Sequence, residues 1–213
     1  MKGYAQSADG PVFKSRRTVP STLWLLLVLA TILACGPDDG DDPGDDQPPG
    51  DPPECEVFTD HTTELIWQNT VGPLRTWPDA KAYCDGLTYC SRTDWRLPTI
   101  SELRSLIRGC DSTELGGSCG VTEACDTDAC WDAEDCSGCS DSWGPYGGPG
   151  VNGFYWDPEV VGTMHPYWTR WICPGCGDDG DVWTVAFQWG GIMKGRGDSD
   201  PRNANQTRCV TSF

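Results

Sequence analysis

The chain has 213 residues, 13 cysteines and a formal net charge of -17, which leaves room for one ordinary domain with accessory segments and points to an oxidising compartment. With 15 basic residues against 32 acidic ones, the surface repels polyanions, and nucleic acid is excluded as a partner. The only histidines, His61 and His165, lie far apart in sequence and offer little material for a His-based triad or a His-rich metal site.

Lys14, Arg16 and Arg17 precede an apolar run from Leu23 to Ala34, the arrangement of a secretory signal peptide. The 12 residues of that run form a helix of roughly 18 Å against a hydrocarbon core of roughly 30 Å, so the run reads as a targeting signal and not as a membrane span. Its end, Ile32-Leu33-Ala34-Cys35, resembles a bacterial lipobox. Residues 1–34 are then a lipoprotein signal peptide, and Cys35 is the acylated first residue of the mature chain, anchored in the membrane by more than one acyl chain. The alternative is an ordinary signal peptide cut near Ala34, with Cys35 left as a thiol or disulfide partner. Residues 35–54 form an acidic tether: after Cys35 come eight acidic residues, no basic ones, and repeated Pro and Gly. Charge repulsion and proline stiffness hold such a segment extended. The location expected from these features is the bacterial cell envelope, on an outer membrane and facing the exterior.

From Cys55 to Phe213 there are 159 residues, with 11 basic against 23 acidic and 12 of the 13 cysteines. An even cysteine number in an exported segment predicts a disulfide framework made from Cys55, Cys84, Cys90, Cys110, Cys119, Cys125, Cys130, Cys136, Cys139, Cys173, Cys176 and Cys209. The pairs Cys136-Ser-Gly-Cys139 and Cys173-Pro-Gly-Cys176 also have zinc-ribbon spacing. Zinc ranks second, because it needs thiolates that an oxidising compartment removes. A thioredoxin-like role for Cys173 and Cys176 ranks lower still, since no strand-then-helix pattern surrounds them.

Local patterns place several elements. Val57 to Phe58 and Leu65 to Trp67 flank a polar stretch and predict a strand pair. Thr76 as cap, Pro78 in the first turn and Asp79 at the capping-box position predict a helix whose inner face is Ala80, Tyr83, Cys84 and Leu87. A second helix starts at Thr99, with Glu102 closing a capping box, buries Ile100, Leu103, Leu106 and Ile107, and stops at Gly109. The stretch from Gly109 to Pro166 is rich in glycine and cysteine and lacks apolar periodicity, so cross-links are expected to order it. Alternation from Val182 to Trp189 predicts a strand whose bulky face is Trp183, Val185, Phe187 and Trp189, with Gly190-Gly191 as a hairpin turn. A last strand spans Thr207 to Thr211.

Several of these stretches resemble one known family. Phe58-Thr59-Asp60 with Leu65-Ile66-Trp67-Gln68, Thr76-Trp77-Pro78-Asp79-Ala80 to Tyr83-Cys84, and Asp94-Trp95-Arg96-Leu97-Pro98-Thr99 to Leu106-Ile107 are similar to the Lcl C-terminal domain, as are Tyr167-Trp168-Thr169, Trp183 to Phe187 and Arg208-Cys209-Val210. That family is found at the ends of collagen-like bacterial adhesins and in many exported bacterial proteins. The resemblance covers essentially all of residues 55–213. It implies an α+β fold of the C-type lectin-like kind, with two helices beside a small antiparallel sheet, paired chain ends and a long disulfide-rich loop insertion. It also implies that a disulfide ties the first helix to the last strand, here Cys84 to Cys209. Cys55 with Cys90 rests only on both lying near the start of the domain.

The chain departs from sugar-binding lectins in having neither Glu-Pro-Asn nor Gln-Pro-Asp, and no Trp-Asn-Asp, the triplets that ligate calcium and sugar together. Asp157-Pro158-Glu159 is a faint echo, and the clusters Asp178, Asp179, Asp181 and Asp198, Asp200 could ligate calcium but are better read as solvated loops, so no cofactor or metal is expected. The reading that follows is a non-enzymatic surface module for a glycan or a surface protein, presenting Trp131, Trp143, Tyr146, Tyr155 and Trp156 from its loop. Two alternatives stay open: these aromatics pack the core, or the domain is a structural envelope lipoprotein without a small-molecule ligand.

Overall fold

The computed structural model describes residues 55–213 except 142, 178 and 179. The signal peptide, Cys35, the tether, Asp178 and Asp179 lie outside the described residues. The elements in chain order are β1 (Val57–Asp60), β2 (Leu65–Gln68), α1 (Trp77–Asp85), α2 (Ile100–Arg104), α3 (Ala133–Cys136), β3 (Tyr167–Ile172), β4 (Asp181–Ala186), β5 (Gly191–Arg196) and β6 (Val210–Ser212).

Both α and β elements are present, but the strands form two antiparallel sheets of three, β1-β2-β6 and β3-β4-β5, where one small sheet was expected. The reason lies in the last segment. Gln206 bridges Tyr167 on β3, and its carbonyl accepts from the Trp168 amide at 3.1 Å, while ladder pairing with β2 starts only at Val210. The chain between them crosses from one sheet to the other, so the predicted strand from Thr207 shortens to Val210–Ser212.

Period-two alternation works on both faces of these sheets. On β2, Leu65 and Trp67 enter the larger apolar cluster, and Ile66 enters the smaller one with Ala80, Cys84, Trp95 and Trp168. On β4, Trp183 and Val185 join the first cluster and Val182 the second. That two-sided burial corrects the expectation of one bulky face. The strand also ends earlier than alternation suggested: Phe187 to Gly190 form the turn, with Gly190 at φ +74°, and Gly191 already belongs to β5. A side chain at Gly190 is disfavoured twice, by its left-handed backbone and by Cys110 Sγ 3.0 Å from where a Cβ would sit.

Helix α1 starts at Thr76 without the expected cap; the Thr76 hydroxyl instead donates to the Asp79 carboxylate at 2.7 Å. Helix α2 has a full capping box: Glu102 N–H donates to Thr99 Oγ1 at 3.2 Å and Thr99 N–H to Glu102 Oε2 at 2.8 Å. It is only 5 residues long. Leu106 lies in the turn beyond it and Ile107 in an isolated bridge to Trp156, and both are buried as a helix would have buried them.

The 12 domain cysteines form six disulfides: Cys55–Cys90, Cys84–Cys209, Cys110–Cys139, Cys119–Cys136, Cys125–Cys130 and Cys173–Cys176. Cys84 and Cys209, with Cα atoms 5.5 Å apart, join α1 to the residue preceding β6. The halves of the pair Cys136 and Cys139 bond to different partners, Cys119 and Cys110, so that spacing marks two nested staples and not a metal ribbon.

Candidate functional site

Cross-links are not alone in ordering the insert between α2 and β3. Val121, Phe154, Tyr155, Trp156 and Val160 from this insert are core residues. Arg104, at the last position of α2 and 2% exposed, donates from Nε to the Thr113 carbonyl at 2.9 Å, from Nη1 to that of Val121 at 2.6 Å and from Nη2 to that of Glu114 at 2.8 Å. A guanidinium forks in fixed directions, so one side chain holds three loop carbonyls in register. Burial pushes its pKa below the ordinary value, with Glu123 acting in the opposite sense.

On this frame the five loop aromatics separate. Tyr155 and Trp156 are buried, and Trp156 meets Phe154, Tyr167 and Phe187 at centroid distances of 5.5, 5.9 and 5.0 Å. These two residues pack the core and cannot face a ligand, which corrects the expectation that all five are presented. Tyr146 is half-buried, edge-on to Phe154 at 5.5 Å. Trp143 is 95% exposed. Trp131 is intermediate in character: 37% exposed, yet fixed because its indole N–H donates to the Ile192 carbonyl of β5 at 2.7 Å.

Trp131 stands at an apolar pocket of about 330 Å³ lined also by Trp183, Met193, Asp128 and Lys194. Sheet register explains the set, because Trp183 on β4 and Lys194 on β5 are directly paired and share a face. Trp183 forms the buried floor, its indole N–H donating to the Cys125 carbonyl at 3.3 Å. At the rim Lys194 Nζ lies 2.5 Å from Asp128 and 3.9 Å from Asp181. The Lys194 ammonium holds the Asp128 carboxyl below its ordinary pKa, helped by the Gly177 amide. The Cys125–Cys130 disulfide closes the short loop carrying Asp128 and ends one residue before Trp131. The pocket thus combines a fixed half-exposed indole, an apolar floor and a polar edge able to donate and accept.

Only Trp131 of this pocket is legible as a candidate in the sequence. Asp128 and Lys194 meet across 66 residues, a separation for which no local pattern exists. The acidic groups considered for calcium have local partners: Asp157 accepts from the Glu159 amide at 3.0 Å, Asp198 from the Asp200 amide at 3.0 Å, and Asp200 from Arg202. Among the described residues no group of three or more His, Cys, Asp or Glu is arranged to hold a metal ion.

The order of these elements and their motifs has a counterpart in one protein family, whose model, the Lcl C-terminal domain, matches residues 56–211. The chain belongs to the Lcl C-terminal domain family. The matched span contains the Trp131 pocket and every disulfide except the one that begins at Cys55. The Lcl C-terminal domain marks a surface-associated module. No curated protein and no solved structure matches the chain.

Proposed function

We propose that this protein is an exported bacterial lipoprotein, held through Cys35 at the outer face of the cell envelope, whose Lcl C-terminal domain binds a glycan without catalysing a reaction and without calcium or another cofactor. A C-type lectin-like arrangement of the domain is part of the proposal. It is supported by the pairing of both chain ends in one sheet and by the disulfide from α1 to the last strand segment.

The observation that carries the glycan reading is Trp131. A half-exposed indole, locked by its hydrogen bond to Ile192, offers an apolar ring face beside a carboxylate and an ammonium. Sugars present a C–H face for stacking and hydroxyls that both donate and accept, and this pocket answers both. A glycan array probed with the purified protein, with and without calcium, tests the proposal. The expected result is binding to a restricted set of glycans, unchanged by calcium and lost in Trp131→Ala. Silence across the array overturns it and leaves a protein partner or a scaffolding role.

A further inference from the structure

The turn joining β1 to β2 and the chain following α2 border a second cleft, of about 310 Å³, which shares no lining residue with the Trp131 pocket. Its wall includes Asp60, Thr63, Arg104, Arg108, Glu114 and Leu115. Asp60 is only 6% exposed; its Oδ1 accepts from the Thr62 amide at 2.9 Å, but its Oδ2 is shielded from bulk water and has no donor. Thr63 Oγ1 is likewise buried and without a partner. Buried polar atoms in folded proteins are satisfied by protein, by ordered water or by a ligand, and a carboxylate oxygen without a donor is costly. Here two such atoms belong to neighbouring residues lining one cleft.

The charged groups decide what fits. Arg104 is committed to the carbonyls of Thr113, Val121 and Glu114, Arg108 Nη1 to those of Ser105 and Ile107, and Glu114 Oε1 to the Gly109 amide. Two carboxylates and two guanidiniums therefore make the wall formally neutral. An anion would meet Asp60 and Glu114, and a cation would meet Arg104 and Arg108. A neutral hydroxyl avoids both penalties, since it donates to Asp60 Oδ2 while accepting from Thr63 or Arg108. Leu115, largely exposed, adds an apolar wall for a C–H face. We propose that this cleft is a binding site for a neutral polyol the size of a single sugar residue, separate from the Trp131 pocket and independent of the glycan reading made for it.

The test is titration of the ¹⁵N-labelled full-length protein with galactose, mannose and myo-inositol through the millimolar range, followed by amide shifts. At least one probe is expected to give saturable shifts at Thr62, Thr63, Arg108 and Leu115. Thr63→Ala should weaken that binding about tenfold, the value of one lost hydrogen bond, without lowering Tm, because the hydroxyl has no protein partner to lose. Asp60→Asn should weaken it as well, and Trp131→Ala should leave it unchanged. The proposal is overturned by absence of saturable shifts with all three probes, by shifts that map to Trp131 and Lys194 instead, by affinity unchanged in Thr63→Ala, or by a fall in Tm in that variant.

Discussion

Arg104 Nη1 lies 2.6 Å from the carbonyl oxygen of Val121, 17 residues further along the chain. Through this contact and those to Thr113 and Glu114, helix α2 holds the beginning of the insert, a stretch of turns that precedes α3. Replacing Arg104 with Met keeps most of the volume but strips the carbonyls of Thr113 and Val121 of their donor, while that of Glu114 still accepts from the Gly117 amide at 2.9 Å. Each unsatisfied group costs about 1–3 kcal/mol, and the losses are not additive, so Arg104→Met should destabilise the domain by about 3–5 kcal/mol in urea unfolding. Arg202→Met is the control. Its ion pair with Asp200 is exposed, and its removal should change stability by less than about 1 kcal/mol.

The disulfides should differ in value according to the loops they close. Cys84 and Cys209 are 125 residues apart, and Cys173 and Cys176 only 3. In the chain-entropy account the first contributes about 4–5 kcal/mol and the second about 2 kcal/mol. All four sulfurs are buried, so the packing losses of a double Ala replacement are similar and largely cancel in the comparison. Denaturant midpoints of Cys84→Ala/Cys209→Ala and Cys173→Ala/Cys176→Ala should therefore fall in that order, with the former lower by far. Equal midpoints would show that enthalpy or residual structure in the unfolded chain, and not loop length, sets the contribution of each bridge.

What could be read from the residues was what is local. The capping box at Thr99 and Glu102, the inward face of α1, the pairing of β1 with β2 and the tight turn at Gly190 all arise within a few residues of chain, and local pattern exposes them. Burial in the insert did not show itself, because Tyr155 and Trp156 reach the core from an irregular backbone with no period to reveal an inward face. Arg104 was hidden for a different reason: a basic residue ending a helix ordinarily faces solvent, and only the folded loop supplies the carbonyls that draw it inside. The division of the strands into two sheets depended on where Gln206 meets Tyr167, a contact 39 positions long that no local pattern encodes.

Trp131 and Trp156 should respond in opposite ways to truncation. Trp156 is 1% exposed and surrounded by Phe154, Tyr167 and Phe187, so Trp156→Ala opens a cavity and should cost about 3–5 kcal/mol. Trp131→Ala removes a ring that is already partly in water, and its one hydrogen bond, to Ile192, is worth about 1 kcal/mol. Thermal unfolding should therefore separate the two variants widely, with Trp131→Ala close to the parent in Tm while losing glycan binding. A Tm drop in Trp131→Ala as deep as that of Trp156→Ala would make Trp131 a packing residue.

Acid sensitivity should centre on Glu102. Burial opposes ionisation of its carboxyl, but the bidentate Arg96 guanidinium, at 2.6 and 2.7 Å, and the Thr99 amide outweigh it, and the pKa falls below the ordinary value of 4.5. A carboxyl whose folded pKa is depressed binds fewer protons in the native state than in the unfolded chain at pH values between the two. Its contribution is thus fully present above about pH 4.5 and is lost as pH falls through the lower, folded value. Glu102→Gln keeps the shape and an acceptor but has no proton to gain. Urea midpoints measured from neutral to acid pH should be lower for Glu102→Gln than for the parent at neutral pH, and the two curves should converge on acidification. A constant gap across the whole range would mean that Glu102 acts through shape alone and that its charge adds nothing to the fold.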